Sequence, residues 1–394
     1  MKYITTASGE PKANSEMLKK LRRGFRSAKP VVLAICQLPP PVHGAAIVNS
    51  LVVDSTLVND SISLTVIEIS TSTSIAAVRK LQPRKILPTL LLYHRVIKAL
   101  FKINPDLVYF PASVHGPALF RDTILIVIVR AIGIPLLLHI HTQGVRLRYE
   151  KSAFYRFIYR ILFRQVDVIQ LSDMLYEDIS MVVPRARVHV IPNALPQDNS
   201  SVNRFEVTEG AVPRILFLSN YMEAKGPLDL LDASELLFAR GIPHSITFVG
   251  ASSDARVESK LRSVARLYPD RIRVLGPAYG ASKRELFEES DILAFPSWSE
   301  CQPLVVLEAM AAGLAIVGTA VGSIPDMLKY ECGLVVPARS PGHLADALEI
   351  VCKSKSLRSN LGTAARARYE QDFSLRKFED NISTLMLRLH RNNA

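Results

Sequence analysis

Residues 297–313 read SWSECQPLVVLEAMAAG and lie between two short apolar segments, 291–296 and 314–318. The residues from Pro303 to Gly313 are mostly strong helix formers. Proline suits the first position of a helix, and glycine suits the left-handed residue that ends one. The pattern therefore predicts a strand, a polar loop, a helix and a second strand, which is the repeating unit of a parallel α/β sheet.

Two glutamates in this unit indicate a ligand. Glu300 lies in the loop before the helix, and Glu308 lies inside an otherwise apolar helix, where a carboxylate is costly without a partner. A helix N-terminus at the carboxyl end of a parallel strand attracts phosphate, and carboxylates accept hydrogen bonds from sugar hydroxyls. We predict that the pair holds two hydroxyl-bearing rings on either side of a diphosphate. The alternative is that both glutamates are solvated surface residues.

The spacing of Glu300 and Glu308, followed by Ala-Met-Ala-Ala-Gly at 309–313, resembles that of the retaining glycosyltransferases of glycosyltransferase group 1, family 4. The resemblance extends over residues 30–390. It implies the α/β GT-B fold, in which two Rossmann-like, doubly wound parallel-sheet domains face a central cleft that binds a nucleotide-sugar donor. It also implies that Glu300 is a catalytic residue facing the donor sugar and that Glu308 binds the nucleotide ribose.

Length and composition agree with a two-domain globular protein. The chain has 394 residues, of which 48% are hydrophobic and 21% charged, and this excludes a largely disordered protein. Its four cysteines form no Cys-x-x-Cys pair, so neither a disulfide framework nor a zinc site is indicated. No secretory signal is visible in residues 1–29, and the apolar run 124–141 is interrupted by Arg130, Gly133 and Pro135. We expect a cytoplasmic protein without a membrane-spanning helix.

Alternating apolar and helical segments predict the domain organisation. Residues 1–29 form a basic, flexible leader, and residues 30–205 form an acceptor-binding Rossmann-like domain. Residues 206–373 form a nucleotide-sugar-binding Rossmann-like domain, after an aperiodic linker at 198–213. Residues 374–394 form a C-terminal helix that the family pattern places back against the first domain.

Two turns of the first half are predicted to face the ligand. One is the Pro-rich stretch 38–46 after the first strand, from which a helix is predicted to begin at Ile47. The other is the polar tip of strand 134–140, where the bare pattern leaves a structural histidine and a binding site equally open. The family resemblance implies that Gly44 lies under the donor phosphate and that His141, rather than His139, is a catalytic residue beside the reacting sugar. Without the resemblance, residues 38–46 would be interpreted as a plain Pro-rich loop.

The second half supplies the predicted donor-binding residues. Lys225 follows strand 214–218 and would act as a point charge for phosphate. The family carries an arginine five residues earlier, where this chain has Asn220. Because Pro303 has no N–H, anion contacts are expected from Gln302, Leu304 and Val305. The complete predicted donor-binding set is Gly44, Asn220, Lys225, Gly250, Gly276, Gln302, Leu304, Val305 and Glu308.

Charge is concentrated in the first half of the chain. Residues 1–205 hold 26 Lys and Arg against 13 Asp and Glu, whereas residues 206–394 hold 22 against 23. An anionic partner of the first half is therefore expected: a nucleic acid, a phosphorylated substrate or a membrane surface. Residues 154–164 form a basic, aromatic amphipathic pattern that favours a membrane interface. The alternative is a core-facing helix with a charged outer face. The residues predicted to bind membrane or acceptor are Arg148, Lys151, Arg156, Arg160 and Arg164.

The sequence thus predicts a retaining hexosyltransferase that moves a sugar from a nucleotide-sugar to a lipid-linked saccharide. The expected setting is bacterial surface polysaccharide synthesis (O-antigen, capsule or exopolysaccharide), peripheral on the inner face of the plasma membrane. No Asp-x-Asp triplet occurs, and neither a metal nor any other cofactor is expected. The alternatives are a nucleotide-sugar epimerase or hydrolase of the same fold and a basic nucleic-acid-binding protein. No nucleic-acid-binding motif is recognisable, and no Gly-x-Gly-x-x-Gly fingerprint indicates a dinucleotide oxidoreductase.

Overall fold

The computed structural model describes residues 29–69, 86–197 and 211–393 and contains two parallel six-stranded sheets. The first sheet has the order β2-β1-β3-β4-β5-β6, and the second has the order β12-β11-β10-β7-β8-β9. The predicted leader, except Lys29, and residues 198–210 of the predicted linker lie outside the described residues.

The first sheet and its helices occupy the first half of the chain. The strands are β1 (Val31–Cys36), β2 (Ser63–Glu68), β3 (Leu107–Phe110), β4 (Leu136–His139), β5 (Asp167–Gln170) and β6 (Val188–Val190). The helices are α1 (Gly44–Asp54), α2 (Thr56–Ser61), α3 (Ile86–Ile103), α4 (Gly116–Ala131), α5 (Val145–Lys151) and α6 (Ala153–Leu162).

The second sheet and its helices occupy the second half. The strands are β7 (Arg214–Leu218), β8 (Ser245–Val249), β9 (Ile272–Leu275), β10 (Ile292–Phe295), β11 (Ala315–Thr319) and β12 (Leu334–Val336). The helices are α7 (Pro227–Ala239), α8 (Ala255–Leu267), α9 (Gly280–Glu288), α10 (Leu304–Ala311), α11 (Ile324–Met327), α12 (Pro341–Lys353), α13 (Lys355–Asp372) and α14 (Leu375–Asn393).

The central strands are continuous apolar runs because helices cover both faces of each sheet. Every residue of β3, β4, β10 and β11 is buried. The prediction of two doubly wound parallel-sheet domains around a cleft is confirmed. The interrupted run 124–141 also has a local explanation: Gly133 adopts a left-handed φ of 82° between α4 and β4.

Two predicted helix starts need correction. Helix α1 begins at Gly44 rather than Ile47, because Nδ1 of His43 accepts a hydrogen bond from the amide of Ala46 and caps the first turn. Pro303 is the N-cap of α10, with extended backbone angles, and not its first helical residue. Each shift leaves the helix N-terminus at the carboxyl edge of its sheet.

The last helix, α14, packs against α1, α2 and β3 of the first domain. Its apolar face, which includes Phe378, Ile382 and Met386, joins the buried cluster formed by β1 and α1. The first domain therefore has part of its core supplied by the far end of the described chain.

Each sheet has a crevice where the strand order reverses direction. In the first sheet this point lies between β1 and β3, and in the second it lies between β7 and β10. Ligands of doubly wound sheets bind outside the carboxyl ends of the strands at such a point. The loops that follow these four strands are therefore where a ligand site is expected.

Candidate active site

The turns that follow β7 and β10 are locked together. Gly226 has a left-handed φ of 74°, and a Cβ at this position would overlap the carbonyl oxygen of Pro296. The amide of Trp298 donates to the carbonyl of Ala224 at 2.9 Å. This contact brings Lys225, in the β7 turn, beside the loop that carries Glu300.

Glu300 is held by two side chains at the crevice. Its carboxylate forms an ion pair with Lys225, and Oγ of Ser297 donates to Oε1 at 2.8 Å. The Glu300 side chain is only 13% exposed. A carboxylate and an ammonium group therefore stand side by side just ahead of the N-terminus of α10. This arrangement suits a ligand that carries both hydroxyl groups and phosphate.

Glu308 is buried, and its partner is Lys283 on α9. The Lys283 ammonium lies 2.6 Å from the Glu308 carboxylate. Burial raises the pKa of Glu308, and the neighbouring Lys283 opposes the rise. The sequence indicates that a buried Glu308 needs a partner, but Lys283 lies in a polar helix and looks like an ordinary surface lysine.

The two halves of the site meet where α1 and α10 begin. A Cβ on Gly44, at the start of α1, would lie 3.8 Å from Cδ1 of Leu304, the first residue of α10. Leu304 packs against buried clusters of both domains. The first amides of both helices thus lie at one place in the cleft. Gly44 begins α1, and Leu304 and Val305 begin α10; their donor roles stay predictions.

A histidine pair ends β4 on the first-domain side of the cleft. The rings of His139 and His141 are 4.0 Å apart, and His139 Nδ1 lies 2.7 Å from the Tyr109 hydroxyl. Burial, together with the neighbouring His43, lowers the pKa of His141 to about 3. His141 is therefore neutral at physiological pH and can form hydrogen bonds without carrying charge. Its Nε2 is buried and has no hydrogen-bond partner in the described part of the chain.

The loop that carries Glu300 also contacts the first domain. Gln143 donates a side-chain hydrogen bond to the carbonyl of Glu300. The side-chain oxygen of Gln302 accepts from the amide of Asn193 at 2.5 Å, and its Nε2 donates to the carbonyl of Leu171 at 3.2 Å. The Gln302 side chain therefore bonds the opposite domain, and the predicted anion contact of Gln302 stays a prediction. Neither Gln143 nor Asn193 is predicted from the sequence, since nothing in the local pattern shows that they face another domain.

The remaining predicted donor residues follow strands of the second sheet. Asn220 lies half-buried in the turn after β7. A Cβ on Gly250 would overlap the carbonyl oxygen of Ser219, so a close approach of two backbones requires glycine there. Gly276 is exposed after β9 and has open space around it. The donor roles of these residues stay predictions.

The basic residues predicted to face a membrane or acceptor fall into two groups. Lys151, Arg156, Arg160 and Arg164 are exposed. Arg148 instead turns back and donates to the carbonyl of Gly144 at 2.7 Å. Arg148 therefore binds the turn before α5, and the predicted membrane or acceptor role of all five residues stays a prediction.

Metal-binding clusters and membrane-spanning helices are both absent from the described residues. No group of three or more His, Cys, Asp or Glu side chains there could hold a metal ion. None of the helices within 29–69, 86–197 and 211–393 is long and apolar enough to cross a membrane.

Sequence models of known families agree with this geometry. Residues 62–198 match the model described as Glycosyltransferase Family 4, and residues 212–354 match the one described as Glycosyl transferases group 1. The chain belongs to the group 1, family 4 glycosyltransferases. The two matched segments include Lys225, Glu300 and His141.

The individual proteins to which this chain is similar share only a small fraction of its residues. A D-inositol 3-phosphate glycosyltransferase from Corynebacterium diphtheriae is 24% identical over 205 residues, covering 50% of this chain and 48% of the relative. The chain thus matches about half the length of that relative. A glycosyltransferase structure from Rickettsia africae has a TM-score of 0.69 at 15% identity, covering 93% of this chain and 99% of the other. HepE from Anabaena, solved in complex with UDP and glucose, has a TM-score of 0.64 at 18% identity, covering 90% and 98%. These two structures resemble the present one in fold.

Proposed function

We propose that this family member is a retaining glycosyltransferase that moves a sugar from a nucleotide-sugar donor to an acceptor. The observation that supports it most is the position of Glu300. This residue pairs with Lys225 at the reversal point of the second sheet, ahead of the N-terminus of α10, where Leu304 lies next to Gly44. A carboxylate, a cation and two helix N-termini therefore lie in one cleft, which supports binding of a sugar attached to a diphosphate.

Charge development explains how these groups would act. When the bond to the leaving group breaks, negative charge grows on the diphosphate, and preorganised donors stabilise it. Lys225 supplies one positive charge. The first intrahelical bond of α10 is from Val306 to the carbonyl of Pro303, so the amides of Leu304 and Val305 precede it and face the N-terminal end. In the front-face displacement proposed for the family, the leaving phosphate takes the acceptor proton.

The acceptor in this proposal is a lipid-linked saccharide on an anionic membrane surface. Three helices of the first domain adjoin one another, since α3 packs on α4 and α4 packs on α6. Each of the three exposes large apolar side chains. The rings of Phe120 on α4 and Phe154 on α6 lie 5.9 Å apart, so the apolar surface continues from one helix to the next. Contiguous apolar surface among basic residues is typical of an interfacial membrane contact. Exposed basic residues on α3 and α6 are Arg95, Lys98, Lys102, Arg156 and Arg160, and the exposed Lys151 ends α5 just before α6.

A second acceptor class is a small phosphorylated polyol. It is favoured by the relatives whose name is D-inositol 3-phosphate glycosyltransferase. A basic first domain suits either a phosphorylated small molecule or a lipid-linked diphosphate. Transfer assays with both kinds of acceptor, with and without vesicles, distinguish them.

The proposal is tested by a thermal-shift screen of nucleotides and nucleotide-sugars, beginning with UDP and UDP-glucose. Glu308→Ala should abolish the shift, because Glu308 is assigned to the ribose. Glu300→Ala should keep the shift and lose at least about 100-fold in turnover, since its contact is assigned to the reacting sugar. Glu285→Ala, at an exposed position on α9, is the matched control and should change neither.

Three outcomes would contradict the proposal. One is a wild-type protein that no nucleotide stabilises. Another is release of free sugar or an epimer from the donor alone at the full rate, which favours the hydrolase or epimerase. The third is a gel shift with nucleic acid at physiological salt and no nucleotide-sugar turnover, which favours the nucleic-acid-binding protein.

A further inference from the structure

A pair of buried amide side chains joins the two domains at the loop that carries Glu300. Gln302 is 6% exposed and Asn193 is 4% exposed. Gln302 accepts from the Asn193 backbone amide at 2.5 Å, and Asn193 Nδ2 donates to the Gln302 carbonyl at 3.2 Å. Gln302 also donates to the carbonyl of Leu171. We call the Gln302 and Asn193 side chains the amide clamp.

The clamp acts on the loop that positions the reacting groups. Gln302 is two residues after Glu300 and two residues before Leu304. The carbonyl of Glu300 itself receives a hydrogen bond from Gln143 of the first domain. On its other side the loop rests on Gly322, where a Cβ would overlap the Glu300 carbonyl, and on Ser323, whose amide donates to Cys301 at 2.8 Å. The loop is therefore held on one side by contacts within its own domain and on the other side by contacts that only the first domain supplies.

We propose that Gln302 is a positioning residue: the amide clamp fixes Glu300 and the start of α10 only when the two domains are docked. This inference rests on the proposed function and adds that the two halves of the donor site depend differently on docking of the domains. Glu308 and Lys283 lie wholly in the second domain, so the nucleotide half of the donor binds without docking. The sugar-facing half is completed by the first domain through Asn193, Leu171 and Gln143.

The chemistry of the clamp favours docking as a single step. All three hydrogen bonds of Gln302 and Asn193 are buried, and a buried donor or acceptor left without a partner is costly. A partly formed clamp therefore leaves unpaired amide groups inside an apolar contact. An open cleft lets water pair them, whereas in the docked cleft Gln302 bonds Asn193 and the carbonyl of Leu171.

The test is Gln302→Met, which keeps the length of the side chain and removes both of its hydrogen bonds. We expect kcat to fall about 30-fold, while the dissociation constant for the nucleoside diphosphate stays within about threefold. Asn193→Ala should likewise lower kcat and leave the dissociation constant for the nucleoside diphosphate nearly unchanged. The double variant should be no worse than the poorer single variant, because both changes break the same docked contact.

Ser172→Ala is the matched control. It removes the 2.9 Å hydrogen bond to Asp326, which also links the two domains but ends on α11 and not on the Glu300 loop. Its kcat should stay within about twofold of wild type. A loss of kcat in Ser172→Ala as large as that in Gln302→Met would overturn the inference, because any weakening of the domain contact would then suffice.

A readout without turnover separates this inference from the proposed function. Small-angle scattering of the free protein should show a larger radius of gyration for Gln302→Met than for wild type and Ser172→Ala. An inactive wild type whose Gln302→Met form still expands would refute the proposed function and leave the docking role standing. Unchanged kcat and unchanged scattering in Gln302→Met, even with a lowered melting temperature, would reduce the clamp to a purely structural contact and overturn the inference.

Discussion

At the scale of single residues, the site depends on two carboxylates with different partners. Glu300 pairs with Lys225 at the mouth of the crevice, where a donor diphosphate would compete for the ammonium. Glu308 is buried deeper and pairs with Lys283, which leaves the carboxylate in place as an acceptor. The two acids are eight residues apart in sequence, yet they differ in burial and in partner, and the proposed function assigns them separate tasks.

Lys283→Met should make stability strongly dependent on pH. The pKa of Glu308 is already raised by burial, so the folded state holds its proton to a higher pH than the unfolded state. The free-energy cost of ionising the buried Glu308 carboxyl is absent at low pH and grows as pH rises through the raised pKa. Removing Lys283 raises that pKa further, and the variant should lose about 3 kcal/mol at pH 8 and much less at pH 4.

Urea unfolding at the two pH values measures this effect. Lys283→Met/Glu308→Gln is the control, and its loss of stability should be nearly independent of pH, since the buried group can no longer ionise. A pH-independent loss in Lys283→Met alone would contradict the role given to the ion pair.

At the scale of elements, the important contact is between the turns after β7 and β10. Gly226 permits it, because its backbone is left-handed and its α-carbon faces the Pro296 carbonyl. The same turn carries Lys225, and the partner turn leads to Glu300. Any side chain at position 226 therefore separates the cation from the acid.

Gly226→Ala should cost about 3 kcal/mol in unfolding free energy and should lower kcat at least tenfold, because the two turns are pushed apart. Gly241→Ala is a matched control: Gly241 has φ of 69°, but a methyl group added there would meet no other atom within 4 Å. It should cost only about 1 kcal/mol, from backbone strain, and leave kcat unchanged. Equal effects of the two substitutions on kcat would show that the contact with Pro296 is unimportant.

The basic face of α6 leads to a prediction about membranes. Reversing the charge of Arg156, Arg160 and Arg164 to Glu should weaken flotation with anionic vesicles at least about 100-fold, since each basic residue contributes roughly 1 kcal/mol near such a surface. The control reverses Lys260, Arg262 and Arg266 of α8, which are also exposed but lie on the second domain. That variant should float as wild type does. Equal flotation of both variants would remove the support for a membrane contact through α6.

At the scale of the whole molecule, the second half of the chain completes the first domain. Ile382 of α14 is fully buried in the cluster that contains Val32 and Val48. Ile382→Ala should therefore cost about 3 kcal/mol, and hydrogen exchange should show the loss in β1 and α1 rather than in β7 or β10. Thr384→Ala, at an exposed position on the same helix, should change stability by less than about 0.5 kcal/mol. Protection lost equally in both domains would show that they unfold as one unit.

The sequence predicts the elements well where burial is continuous. The unit around residues 291–318 is predicted as strand, loop, helix and strand, because β10, α10 and β11 are almost wholly apolar and Gly313 ends the helix with φ of 67°. The predicted start of helix α1 is three residues too late, since histidine is not among the usual N-cap residues. Local patterns therefore indicate the type of each element more reliably than its first residue.

The contacts between distant segments could not be predicted. The partner of Glu308 lies 25 residues earlier on another helix, and Gln302 and Asn193 are 109 residues apart. The prediction for Gln302 rests on its place before a helix N-terminus, which is sound chemistry for an isolated domain. The side-chain contacts of Gln302 depend on the docking of two domains, and no local pattern of one sequence records such docking.

The position of α14 also has a consequence for protein synthesis. Ribosomes add about 5 to 20 residues per second, so the strands of the first sheet emerge roughly 10 to 40 seconds before Leu389 does. During that interval the faces of β1 and α1 that pack on α14 have no native cover in the nascent chain. A cell that translates this message must keep that surface from self-association, and chaperone binding to the ribosome-bound first half is the natural means.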